Sequence, residues 1–141
     1  MNFEKSIGFL LAKVATAHKN LLERSMAESG LHGGQVFVLF ALWERDGVRQ
    51  VDLAEALNLA APTVNKTVTG MVESGLVTRR KYEDDARSTR IFLTDAGTAI
   101  RHEVDEKWIE MEERIAADLT ETERLILPQL LVKLLGNYLN K

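Results

Sequence analysis

The chain has 141 residues, two of them proline and none cysteine, and a formal net charge of −3 at pH 7. This length suits one domain with a proper hydrophobic core, and the lack of cysteine excludes disulfides, thiol chemistry and cysteine-ligated zinc. Apolar residues make up 45% of the sequence and charged residues 28%, which is typical of a globular protein rather than a disordered one.

The first predicted element is an amphipathic helix over residues 3–28. Apolar side chains recur there at steps of three and four residues, and Gly30 ends the pattern. The stretch from Ser6 to Ala17 superficially resembles a signal peptide, but Glu4 precedes it, Lys13 interrupts it, and the helical spacing continues beyond it. No stretch approaches the roughly 20 apolar residues of a membrane span. We therefore expect a cytoplasmic protein.

Three more helices are predicted before the middle of the chain. The second follows Gly33-Gly34 and ends at Asp46-Gly47, and the short third covers residues 51–57. The fourth begins at Pro62, because proline is favoured at the first helical position, and ends at Gly75. One face of this helix is apolar, and its opposite face is small and polar: Pro62, Thr63, Lys66, Thr69, Gly70 and Glu73. Such a face can approach base edges in the DNA major groove.

A basic β-hairpin is predicted over residues 76–93, with a polar loop from Glu83 to Arg87 at its tip. Residues 61–94 carry six basic and four acidic side chains, whereas residues 95–123 carry three basic and ten acidic ones. A locally basic surface is compatible with DNA binding in an acidic protein. Helix, turn, helix and basic hairpin, in that order, are the layout of a winged helix-turn-helix lobe.

Two helices are predicted after the hairpin. Thr94 is expected to cap a long helix over residues 95–117, and Thr120-Glu121-Thr122-Glu123 has the sequence of a capping box that opens the last helix. Pro128 lies about two turns inside that helix, so a kink or a restart is expected there. The terminal helices carry more apolar surface than the rest of one chain can cover. We therefore predict a two-fold homodimer.

Several short segments in a fixed order resemble the MarR family of bacterial transcription regulators. They are Leu53-Ala54, the helix 62–74, Glu73-Ser74-Gly75-Leu76-Val77-Thr78-Arg79, Asp85-Ala86-Arg87-Ser88 and Leu93-Thr94-Asp95-Ala96-Gly97. The resemblance implies a mainly α-helical fold with a small β-hairpin wing. The single domain 1–141 would hold a winged helix-turn-helix lobe at 31–97 and helical dimerisation regions at 1–30 and 98–141.

The resemblance also implies a homodimer that binds a pseudo-palindromic operator in double-stranded DNA, usually as a repressor. Many relatives release DNA when a small aromatic or phenolic compound binds. Pro62, Thr63 and Lys66 match the part of the recognition helix that meets the major groove. Arg87 matches the wing-tip arginine that enters the minor groove, and Asp85 would brace it. The other basic residues of the wing would lie near phosphates: Arg79, Arg80, Lys81 and Arg90.

Several interpretations stay open or are set aside. His18, Phe37 and Trp43 are candidates for lining a ligand pocket, although interior packing explains each of them as well. Lys66 stands where relatives often have arginine, and a point charge makes sharp guanine recognition there doubtful. His102 and Glu106 lie four residues apart, but the chain has only three histidines, so no metal and no cofactor are predicted.

Two other functions were weighed against a DNA-binding regulator. An enzyme is not predicted, because the sequence has no glycine-rich phosphate loop and no recognisable pairing of a nucleophile with histidine. A winged-helix scaffold that binds another protein without specific DNA binding is the alternative. The outward face of helix 62–74 and the basic hairpin favour DNA over that alternative.

Overall fold

The computed structural model describes residues 1–82 and 88–140. This part of the chain is mainly α-helical with one small β-sheet, which confirms the predicted fold class. The chain forms two compact units, residues 1–107 and 108–141. The elements are a 3₁₀ turn at Phe3–Lys5, then α1 (Ile7–Ala27), α2 (Gly33–Glu44), β1 (Val48–Arg49), α3 (Gln50–Leu57), α4 (Ala61–Glu73), β2 (Val77–Lys81), β3 (Thr89–Leu93), α5 (Asp95–Ala99), α6 (Arg101–Ile115) and α7 (Glu121–Leu139).

Helix α2 is capped by a side chain from another helix. The sequence His32-Gly33-Gly34 offers no serine or threonine at this end, and the carboxylate of Glu23 in α1 takes that place. Its Oε1 accepts a hydrogen bond from the Gly33 backbone N–H at 2.8 Å, and Gln35 Oε1 accepts one from the His32 N–H at 3.1 Å. A negative group at the positive end of a helix stabilises it and fixes α1 against α2.

The sheet has three antiparallel strands in the order β1-β3-β2. The predicted hairpin is therefore present as β2 and β3, with Val77 opposite Leu93 and Arg79 opposite Ile91. Strand β1 was not predicted, because two residues are too few to show a strand pattern. It pairs Val48 with Ile91 and joins the wing to the helical part of the lobe.

The core of the first unit lies where α1, α2, α3, α4 and the sheet meet. The predicted apolar stripe of α4 is buried at Val64, Val68 and Met71, whereas Val72 remains 39% exposed. These side chains share the core with residues from every neighbouring element, including Met26, Val36, Leu39, Leu42, Leu53, Val77 and Ile91. Burial of this one face leaves the opposite face of α4 at the surface.

The helix predicted over residues 95–117 is interrupted. Helix α5 ends at Ala99 and α6 begins at Arg101, so the prediction of one continuous helix was wrong. Its predicted start is confirmed, because Thr94 Oγ1 accepts a hydrogen bond from the Gly97 N–H at 3.1 Å. The same hydroxyl donates to the Gly75 carbonyl at 2.6 Å and ties α5 to the end of α4.

Helix α7 belongs to the second unit and begins with the predicted capping box. The Thr120 N–H donates to Glu123 Oε1 at 2.9 Å, and the Glu123 N–H donates to Thr120 Oγ1 at 3.2 Å. The backbone hydrogen bond from Thr120 lowers the pKa of Glu123. The helix continues through Pro128, so the predicted restart does not occur. Across the described residues, no helix combines the length and apolar character needed to cross a membrane.

Candidate nucleic-acid interface

The outward face of α4 is open to solvent. Pro62, Thr63 and Lys66 are all exposed, and Thr69 and Gly70 are half-buried at the rim of the same face. Within the described part of the chain, the Lys66 ammonium forms no hydrogen bond or ion pair. It is therefore available to an anion or an acceptor outside the protein.

The basic side chains of the wing divide by strand face. Arg79 shares its side of β2 with the buried Val77 and points toward α4, because alternate residues of a strand face opposite sides. Arg80 lies on the other side, with its guanidinium carbon 4.9 Å from the centre of the Phe92 ring. Arg90 Nη1 donates to the Gly47 carbonyl at 2.9 Å. Arg80, Lys81 and Arg90 are all exposed residues.

Arg79 connects β2 of the wing to α4 through side-chain hydrogen bonds. Its Nε donates to Gln50 Oε1 at 3.2 Å. Its Nη2 lies 3.3 Å from Asn65 Oδ1, 3.3 Å from the Asn65 carbonyl oxygen and 3.2 Å from Thr69 Oγ1. Gln50 Nε2 in turn donates to Asn65 Oδ1 at 3.1 Å. We call Gln50, Asn65 and Arg79 the amide network. Gln50 and Asn65 were not among the predicted site residues, although Asn65 lies three residues after Pro62 and four before Thr69.

A second polar pair lies beside the amide network at the start of α3. Arg49 donates from Nε to Asp52 Oδ2 at 2.8 Å and from Nη2 to Asp52 Oδ1 at 3.0 Å. This hydrogen bonding lowers the pKa of Asp52 and raises that of Arg49, so both groups stay charged at neutral pH. Both side chains are exposed, and the carboxylate of Asp52 neutralises the charge of Arg49 locally.

Two predicted wing-tip residues, Asp85 and Arg87, lie outside the described residues. Their assignment to the minor groove stays a prediction.

The predicted ligand-pocket residues lie in α1 and α2. Phe37 and Trp43 each contact Phe40, with ring centres 6.1 Å and 5.9 Å apart, so α2 carries a row of three aromatic rings. Phe37 is 37% exposed, whereas Trp43 is half-buried and donates from Nε1 to the Gly97 carbonyl at 2.9 Å. His18 is half-buried in α1.

Residues 1–82 and 88–140 contain no cluster of three or more potential metal ligands among their histidine and acidic side chains. His102 Nε2 and Glu106 Oε1 form an exposed pair 3.1 Å apart.

Helices α3 and α4, followed by the hairpin β2–β3, define a winged helix-turn-helix protein. The sequence profile of the MarR family matches residues 32–89. An uncharacterized HTH-type transcriptional regulator of Bacillus subtilis, YwoH, is 32% identical over 95 residues, which cover 67% of this chain and 69% of that protein. The chain belongs to the MarR family.

Solved structures agree with this fold over nearly the whole chain. The Staphylococcus aureus MepR–DNA complex matches with a TM-score of 0.80 and 24% identity, covering 98% of this chain and 99% of that one. CouR from Rhodococcus jostii RHA1, bound to p-coumaroyl-CoA, matches with a TM-score of 0.84 and 22% identity, covering 100% and 97%. With the family established, the protein is a DNA-binding transcriptional regulator and not an enzyme.

Proposed function

We propose that the protein is a homodimeric repressor of nearby genes that leaves its operator when a small aromatic or phenolic compound binds. The observation that carries the DNA-binding part of this proposal is the exposed polar face of α4 beside the basic wing. Lys66 lies at the centre of that face and pairs with no group in residues 1–82 and 88–140. Since it acts on the chromosome, we place it in the cytoplasm.

In this proposal each lobe contacts DNA in two grooves. Pro62, Thr63 and Lys66 enter the major groove, where a helix with small side chains reaches the base edges. On the family resemblance, Arg87 enters the minor groove and Asp85 braces it. The other basic wing residues lie near phosphates and supply most of the salt-dependent affinity: Arg79, Arg80, Lys81 and Arg90. Among the described residues Arg79 donates from Nε and Nη2 only, and in this proposal its Nη1 donates to a phosphate.

The dimer would be formed by residues 1–30 and 98–141 around the DNA-binding lobe 31–97, all within one domain, 1–141. Helix α1 and the turn before it leave Phe3, Ile7 and Val14 more than 60% exposed. Helix α7 exposes nine large apolar side chains, from Leu125 to Leu139. Patches of this extent are rare on monomers, and a second copy of the chain covers them in the proposed assembly.

A ligand site is proposed along the aromatic row of α2, with Phe37 and Trp43 stacking on a planar compound and His18 contributing a polar contact. CouR was solved with an aromatic thioester, p-coumaroyl-CoA, which supports this class of effector. The effector would act by preferring a dimer whose two lobes no longer match half-sites about one helical turn apart.

The test is binding to the DNA immediately upstream of the gene, measured by fluorescence anisotropy across a salt series. We expect tight, salt-steep binding with at least about 1000-fold preference over a random duplex of equal length. Addition of aromatic acids and phenols should then displace the DNA. Weak binding that is equal for the random duplex, the upstream duplex and duplexes from neighbouring genes would contradict the proposal. It would favour a protein-binding scaffold.

Lys66→Ala is expected to weaken operator binding about 10-fold and to lower the slope of log affinity against log salt by about 0.9, because one cationic contact is lost. Lys66→Arg should restore both. Lys19→Ala removes the same charge from the exposed surface of α1 and should change neither. Unaltered operator affinity in Lys66→Ala would place Lys66 away from the DNA.

A further inference from the structure

The guanidinium of Arg79 fixes the orientation of Gln50. A guanidinium only donates hydrogen bonds, so the group 3.2 Å from Arg79 Nε must be an acceptor. Gln50 therefore turns its Oε1 to Arg79, and its Nε2 faces Asn65. A rotation of the Gln50 amide by half a turn would set two donors against each other.

The two neighbours of Asn65 then fix its amide as well. Asn65 Oδ1 accepts from Gln50 Nε2 at 3.1 Å and from Arg79 Nη2 at 3.3 Å. Arg79 Nη2 divides its two hydrogens among Asn65 Oδ1, the Asn65 carbonyl and Thr69 Oγ1, so Gln50 Nε2 is the undivided partner of Asn65 Oδ1. Asn65 Nδ2 lies on the other side, and no group in the described part of the chain accepts from it.

Asn65 is thus an exposed residue of the recognition helix that offers only a donor. It lies three residues after Pro62, so the two side chains share a flank of α4. The amide network holds it there, because a turned amide would set its N–H₂ group against two donors, Gln50 Nε2 and Arg79 Nη2. Fixing a side chain before binding lowers the entropic cost of the contact and sharpens its selectivity.

We propose that Asn65 recognises guanine in the major groove through its side-chain N–H₂ group, an inference that rests on the proposed DNA binding. An asparagine that is free to turn pairs with adenine, since adenine needs one donor and one acceptor from the side chain. The acceptor of Asn65 is already occupied within the protein. Guanine presents two adjacent acceptors, O6 and N7, whereas adenine places its N6 donor beside N7 and would oppose the amide donor.

Gln50 and Arg79 are positioning residues in this proposal, because they act on the base only through Asn65. Removal of Gln50 leaves Asn65 Oδ1 with only the shared Arg79 Nη2 as a donor, which weakens the constraint on the amide. The selectivity of Asn65 for guanine over adenine should then fall, while the contact itself remains.

The test begins with an operator selected from a randomised duplex by the wild-type protein. Each guanine of that site is replaced in turn by 7-deazaguanine, which lacks the N7 acceptor, and affinities are measured by anisotropy at fixed salt. We expect one guanine per half-site at which this replacement weakens wild-type binding at least about 5-fold and leaves Asn65→Ala unaffected. At the same position, adenine should cost the wild type about 10-fold.

Gln50→Ala should reduce that preference for guanine over adenine at least 3-fold, an effect that the loss of a merely structural contact would not produce. Asn20→Ala removes an exposed amide from α1 and is the matched control, with wild-type selectivity expected. Circular dichroism shows whether each variant is folded, and the exposed position of Asn65 makes folding of Asn65→Ala the expected result.

Three results would overturn the proposal. If Asn65→Ala weakens binding to all sequences equally, Asn65 contacts a phosphate and not a base. Coupling of Asn65 to an adenine, or to no base, would show that the amide turns on binding or does not reach the groove. A wild-type protein that selects no sequence at all would contradict the proposed function too, whereas the first two results leave that function intact.

Discussion

Leu135→Asp is expected to convert the protein from a dimer into a monomer and to raise the dimer dissociation constant more than about 1000-fold. Leu135 is 53% exposed in one chain, so the substitution leaves the packing of the monomer largely unchanged. In a dimer that covers α7, the new carboxylate is buried without a partner, which costs about 3–5 kcal/mol. Two-fold symmetry applies this cost twice, and about 1.4 kcal/mol corresponds to a factor of ten.

The composition of α7 is the reason to expect so large an effect. Between Leu125 and Leu139 the only charged residue is Lys133, and apolar side chains occur all around the helix. A helix that is hydrophobic on every side is stable in water only when it is buried. One chain leaves most of these side chains exposed, and a second copy covers them in the proposed dimer.

Sedimentation velocity at micromolar concentration measures the effect. Val51→Asp is the matched control, because Val51 is a 39% exposed apolar residue of α3 outside the proposed interface, and this variant should remain a dimer. Monomeric Leu135→Asp should also lose more than about 100-fold in operator affinity, since the two half-sites are no longer bound together. A Leu135→Asp protein that still sediments as a dimer would remove α7 from the interface.

Local patterns predicted the elements of the lobe that position the site. The stripe of Val64, Val68 and Met71 identified both the buried and the outward face of α4, because helical spacing alone determines them. Thr94 and Thr120 were predicted to cap their helices for the same kind of local reason, and both do.

Contacts between distant residues were not predictable in this way. Gln50 lies 15 residues from Asn65 and 29 from Arg79, and the strand register that turns Arg79 toward α4 becomes visible only in the sheet. The interruption at Ile100 also has no local signal, since apolar residues keep their helical spacing across it. The sequence therefore predicted basic residues for the proposed interface but did not predict the amide network that orients Asn65.

Gly97→Ala is expected to destabilise the protein by about 2–3 kcal/mol, because an added methyl group has no space at this position. It would press into the carbonyl oxygen of Leu76, and it would also lie 3.2 Å from Leu93 Cδ2. The Leu76 carbonyl cannot easily move, since it accepts the Thr94 N–H at 3.0 Å. The Gly97 carbonyl is also fixed, because it accepts a hydrogen bond from Trp43 Nε1 at 2.9 Å.

This contact lies where the end of α4 meets the wing. We therefore expect Gly97→Ala to lower operator affinity as well as stability. Urea unfolding at equal protein concentration measures the stability, and anisotropy measures operator affinity below the unfolding transition. Gly34→Ala is the control: it makes the same change at an exposed helical position with nothing within 4 Å, where alanine should stabilise by up to about 1 kcal/mol. If Gly97→Ala unfolds at the same urea concentration as the wild type, the Leu76 carbonyl has moved to accommodate the methyl group. The backbone where α4, β3 and α5 meet would then be more deformable than its hydrogen bonds indicate.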